Sequence, residues 1–329
     1  MFSEERINVE HNSSPPLASS DLPHLSALWA QKYVQNLTDE PDALVTRKAI
    51  AEHLANGLRS ASAKAWNLTE SLLSQEVRRH RISSNLIDPW TISRDVHRVF
   101  EKALTAYAKR ISPQRLSVLI SGGLGKVRER YTADDPRLIG FVSMQFHYCG
   151  QMLLQQAPAV EQNALCSYFK VIDDHLYMPL QRAYNAAARY RYDDNRLQVV
   201  QALLPHSTTI ANTVVEQVHR LYPSYRVYTD LLSSPYVRIA SIRDTEMFQV
   251  YLWTCVLEQS PASIQQELFP LCVMLYPTLH VSWELVRQML HLLAKEFEHY
   301  IHKEQIQYYA PYQDALWQMF SPQVFPNMV

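Results

Sequence analysis

Residues 41–79 read P-D-A-L-V-T-R-K-A-I-A-E-H-L-A-N-G-L-R-S-A-S-A-K-A-W-N-L-T-E-S-L-L-S-Q-E-V-R-R. Leu44, Ala51, Leu54, Leu58, Ala65, Leu72 and Leu73 recur at the spacing of one helical face. Pro41 suits a first helical turn, because its missing N–H has no partner there anyway. Asn56-Gly57 would close a hairpin between alternating strands, but here it interrupts nothing. Gly57 costs such a helix about 1 kcal/mol without breaking it.

The same reading extends outward. The chain has 329 residues and only six glycines, against an average near 7%. Sandwiches, barrels and doubly wound sheets spend glycine on tight turns, so the expected fold is all-α, a multi-helix bundle. At 47% hydrophobic and 19% charged residues the chain has the composition of a globular core former. The polar, Pro/Ser-rich residues 1–20 read as a disordered tail without the apolar stretch of a signal peptide. No run reads as a membrane span, and cytoplasm is the expected compartment.

Proline and capping residues divide the remainder. A helix is expected over about 22–37, and another capped by Thr91 or Ser93 and running to Ile111. Ser112-Pro113 starts a third, which Ser121-Gly122-Gly123 should end. Helices follow from Asp135-Pro136 to Gln156, from Pro158 to Pro179, after Asp194, from Ser207 to Tyr222, and over 278–306. The Val/Tyr-rich stretch 225–232 is the one candidate strand.

Residues 154–165, L-Q-Q-A-P-A-V-E-Q-N-A-L, resemble 257–268, L-E-Q-S-P-A-S-I-Q-Q-E-L. Six of the twelve positions are identical at an offset of 103, which suggests a duplicated helical hairpin. Four regions result: the tail 1–20, a basic helical region 21–132, a region with the duplicated hairpin 133–304, and an aromatic C-terminal tail 305–329.

The net charge of −1 hides a polarity. Residues 47–130 hold 16 Lys/Arg against 7 Asp/Glu. Arg78, Arg79 and Arg81 are its densest point, and Lys109, Arg110, Arg115, Lys126, Arg128 and Arg130 follow. A basic helical face attracts an acidic protein, an anionic membrane surface or nucleic acid, or else meets the protein's own acidic half. No helix-turn-helix, finger or single-strand platform accompanies it, so nucleic acid is the weakest of these. From Gln305 to Val329 the only charge is Asp314. Tyr308, Tyr309, Tyr312, Trp317 and Phe320 there suit either docking on their own domain or anchoring a protein partner or a second copy.

Motifs that carry chemistry are sparse. Ser121-Gly122-Gly123-Leu124-Gly125-Lys126 lacks the first glycine and the preceding strand of a phosphate loop. Cys149, Cys166, Cys255 and Cys272 form no CxxC pair and read as small buried hydrophobes in a reducing compartment. His147, Cys149 and His175 lie in apolar helical text, where packed and hydrogen-bonded roles are the usual ones. There is no Gly-x-Ser-x-Gly. Two Glu-x-x-His pairs, Glu216/His219 and Glu296/His299, have the spacing that builds a dinuclear iron or manganese site in four-helix bundles, with Asp173 or Asp174 and Glu246 as further ligands. The primary expectation is a non-catalytic interaction module, an adaptor, assembly or regulatory factor. It would bind a partner through Arg78, Arg79, Arg81 and the aromatic tail. A cofactor-bearing helical-bundle metalloenzyme is the alternative, and a nucleic-acid binder the third reading.

Overall fold

The computed structural model describes residues 24–33 and 42–326, with side chains from Thr46 in the second stretch. The expected tail 1–20 lies outside them. In chain order the helices are α1 (Leu25–Ala30, extended by a 3-10 turn to Tyr33), α2 (Asp42–Arg79), α3 (Pro89–Ala108), α4 (Pro113–Thr132), α5 (Leu138–Gln156), α6 (Ala159–Tyr177) and α7 (Leu180–Ala187). They continue with α8 (Asn195–Leu203), α9 (Ser207–Leu221), α10 (Pro235–Glu258), α11 (Phe269–Thr278), α12 (Trp283–Phe297) and α13 (Lys303–Met319). The fold is all-α, and no strand occurs among the described residues. The 225–232 stretch instead holds one isolated antiparallel bridge between Arg226 and Leu231.

The helix starts follow ordinary capping chemistry. Asp88, and not Thr91 or Ser93, caps α3: its carboxylate accepts the Trp90 and Thr91 amides, satisfying donors with no partner inside the helix. Ser112, Asp194 and Ser282 cap α4, α8 and α12 in the same way. The last turns are broken differently from the sequence expectation. The long helix expected over 278–306 is instead α12 and the first turn of α13, with a turn between them at 298–302; α12 starts late because His280 takes a positive φ and Ser282 recaps the chain.

Ser121-Gly122-Gly123 does not end a helix. α4 runs through all three glycines. Gly122 and Gly123 face open space, whereas a Cβ on Gly125 would stand 2.5 Å from Gln181 Cγ. Gly125 thus lets α7 close on α4. With their amides on the helical ladder, these residues form no phosphate cradle.

α2 packs along α3 and α5, α4 along α6, and α10 against α7, α9 and α13. Helices of the basic region and of the region after it therefore share one hydrophobic core, running from Leu25 to Phe320. The helix limits echo the sequence repeat. Displaced by 103 residues, α5 ends, α6 begins and α7 begins within a few residues of where α10 ends, a π-helical turn at Ile264–Leu268 leads into α11, and α12 begins.

Arg128, read from the sequence as part of the solvated basic face, is instead buried. It donates to Leu176 O, Tyr177 O and Tyr251 Oη and pairs with Glu267 at 2.9 Å. Arg182 extends this network to Glu258 and Glu267. Cys149, Cys255 and Cys272 are buried as expected, but Cys166 is exposed.

Candidate ligand-binding site

α10 is apolar on nearly every face in its second half, and that half is buried from Met247 to Leu257. Its first half is different: from Tyr236 to Glu246 it forms one wall of a cavity of about 560 Å³. α5 contributes Met144, His147 and Gln151, and α6 contributes Cys166, Lys170, Asp173 and Asp174. α9 and α12 supply Val215, His219, Val286 and Met289. The walls are mainly apolar. A few polar groups converge at one end, the usual composition of a small-molecule site.

The polar end is a buried ionic network. Lys32, from the turn after α1, places Nζ 2.7 Å from Glu246 Oε1. Thr208 donates to the same oxygen at 2.6 Å. Lys170 bonds both oxygens of Asp174 at 2.9 Å and stands 3.5 Å from Glu246 Oε2. Tyr33 donates to Asp174 at 2.7 Å. Asp174 and Glu246 are essentially inaccessible, at 0% and 1% exposure, so each carboxylate needs its ammonium partners. Burial alone would raise the Glu246 pKa, but Lys32 and then Lys170 outweigh it and hold it at about 2. For Lys170 the same contest is won by Asp174 and Glu246, which raise its pKa.

Beside this network His147 Nδ1 sits 2.8 Å from Asp173. Its Nε2 meets Gln151 at 2.9 Å, and Gln151 also reaches Tyr236 Oη at 3.2 Å. Both ring nitrogens are therefore engaged, which suits a positioned binding group better than a free base. Arg243 lies over the Tyr177 ring at 4.5 Å. Burial raises the pKa of neighbouring Asp244, which accepts hydrogen bonds from Tyr177 and Tyr276. Three cavity-lining polar atoms have no hydrogen-bond partner: Glu246 Oε2, Arg243 Nε and His219 Nε2.

The rim is apolar and held in place. Tyr228, Tyr236 and Ile239 are 59%, 48% and 70% exposed. Tyr228 N donates to Leu279 O, and Tyr225 Oη donates to His280 O and accepts the Ser282 amide. These bonds tie the 222–234 loop to the start of α12.

The residues singled out in the sequence fall elsewhere or change role. Glu216 pairs with Arg238 at 2.8 Å on the surface, and His219 lines the cavity. Glu296 lies in the last turn of α12, and His299 is exposed in the turn beyond it rather than in a helix. No group of three or more His, Cys, Asp or Glu able to hold a metal ion occurs among the described residues. Asp174 and Glu246 do meet, but around the Lys32 and Lys170 ammoniums, which stand where a dinuclear metal would have to sit. In the C-terminal region Tyr309 and Phe320 are buried and Tyr308 and Tyr312 are half-buried, while Trp317 stays 37% exposed. The aromatic tail is thus helix α13, docked on its own domain. Arg78, Arg79 and Arg81 are exposed.

Sequence reasoning missed Lys32, His147 paired with Asp173, Lys170 and Arg243. One signal was available: Phe169-Lys-Val-Ile-Asp-Asp-His175 places three charges in the apolar second half of a helix, where charges need partners. No family model matches the chain, and neither a curated protein nor a solved structure proves similar to it. Among the described residues no helix is long and apolar enough to cross a membrane.

The Glu246 network makes stability pH-dependent. A carboxyl depressed in the folded state contributes stability that is complete above its unfolded pKa and fades as pH falls through the folded one. The window therefore runs from about 4.5 down to about 2. Glu246→Gln is expected to cost about 2 kcal/mol at neutral pH. Its melting temperature should converge on that of the parent as pH falls through the window, and a constant gap would contradict the assignment.

Proposed function

We propose that this chain is a non-catalytic binding protein whose ligand is a small, largely apolar molecule with one polar end. The cavity over the first half of α10 carries this reading. Its apolar walls take the body of the ligand. His147, Gln151 and Asp173, partly accessible and hydrogen-bonded to one another on the α5–α6 side of the cavity, take its polar end. Charges within the polar end nearly cancel, so a neutral or weakly charged ligand fits best. This reading differs from the protein-interaction module expected from the sequence: the ligand is a small molecule, and the binding surface is the cavity and its rim.

The test is a titration with a neutral fluorescent naphthylamine, whose emission rises in apolar surroundings. Saturable one-to-one binding is expected. Ala240 is a small, partly exposed residue of the cavity wall, and Ala240→Trp occupies part of the space. It should weaken binding at least tenfold with an unchanged thermal transition. Equal binding by parent and variant would remove the cavity as the site.

A further inference from the structure

α2 and α3 form an antiparallel hairpin, so the end of α2 and the start of α3 share one tip of the molecule. At that tip Trp90 is 83% exposed, second only to Val160 among the large hydrophobic side chains of the described residues. Its backbone is fixed by the Asp88 cap. Arg94 and Arg98 follow it at i+4 and i+8, on the same face of α3, and both are exposed. Arg78 and Arg79 end α2 beside it and Arg81 follows in the turn, all three exposed. The nearby acids are engaged. Glu76 is buried against Arg79 and His80, Asp88 accepts the α3 amides, and Asp135 pairs with Arg137, which donates to His80 O. The tip therefore presents five guanidinium groups around one projecting indole.

We infer that this tip is a peripheral docking surface for anionic lipid. Sign complementarity selects an anionic partner. The indole points to a membrane interface: it projects from the tip with Arg94 and Arg98 as its neighbours along the helix face. An amphipathic ring at headgroup level flanked by arginines is the composition of a membrane-surface anchor. A fluid anionic surface needs no shape-matched pocket, and a hairpin tip offers none. The inference stands apart from the cavity and survives its failure.

Full-length protein is sedimented with vesicles of phosphatidylcholine alone and of an equimolar mixture with phosphatidylserine. Binding is expected to the mixed vesicles only, and to fall as salt shortens the reach of the charges. Each arginine near an anionic leaflet is worth about fivefold in affinity. Arg78→Gln, Arg79→Gln and Arg81→Gln together should therefore weaken binding on the order of a hundredfold. Trp90→Ser should weaken it severalfold without moving the thermal transition, since its ring packs on little. Equal binding to both vesicle types, no binding at low salt, or an unweakened triple variant overturns the inference. Tighter binding at the same salt to poly-glutamate or to duplex DNA also overturns it and assigns the tip to that class.

Discussion

Replacing Arg128 with Met is expected to lower folding stability by about 3–5 kcal/mol. The guanidinium is buried where α4, the end of α6, α10 and the π-helical turn meet. Its donors serve two backbone carbonyls that close α6, the Tyr251 hydroxyl and the Glu267 carboxylate. Methionine fills most of the volume and none of these roles. The α6 carbonyls lose a donor, and Glu267 keeps only Arg182 as a cationic partner. Arg182 is more exposed than Arg128, so it offsets the loss only in part. The cost is mainly that of leaving buried groups unpaired. It follows that Arg128→Met combined with Glu267→Leu should recover part of the loss. Chemical denaturation of the three proteins measures this. A single-variant loss below about 1 kcal/mol would mean that the network is solvated and weak.

Phe320→Ala should cost a comparable 3–5 kcal/mol. The ring is fully buried, with Phe248, Phe269 and Trp283 centroids 6.2, 5.3 and 5.6 Å away. Arg287 fixes the backbone just there, donating to the Phe320 and Phe325 carbonyls. Truncation opens a void between α10, α11 and α12 that close-packed neighbours cannot collapse into. Trp317, three residues earlier and partly exposed, should tolerate Ala with a loss of about 1 kcal/mol or less. The contrast separates two views of the C-terminal region. If it served mainly to hold a partner, Phe320→Ala would leave the stability of the isolated chain nearly untouched.

The helices were legible because their cause is local. Leu54 and Leu58 announce a buried stripe, Asp194 and Ser112-Pro113 announce caps, and scarce glycine excludes turn-rich folds. The failures were also physical. Gly122-Gly123 resembles a helix end, yet tertiary packing overrides a cost of about 1 kcal/mol per glycine. Arg128 resembles its solvated neighbours Lys126 and Arg130, and only the approach of Glu267 from far along the chain distinguishes it. The cavity was least legible, because its polar end draws Lys32, Lys170, Asp174 and Glu246 from three separate segments. Glu246 and Asp174 were singled out as possible metal ligands. They carry the right chemistry, charge that must be neutralised in a buried site, but the neutralising cations are lysines that no spacing rule connects to them.

The central claim is that an apolar molecule enters the cavity over α10. Methyl-labelled methionine resonances test it most directly. Met144 and Met289 line the cavity, whereas Met178, Met247 and Met274 are buried in the core. On titration with the neutral naphthylamine, the Met144 and Met289 methyl signals should shift together and saturate at one equivalent, with the other three nearly unmoved. Saturable binding that leaves Met144 and Met289 unshifted would contradict the account.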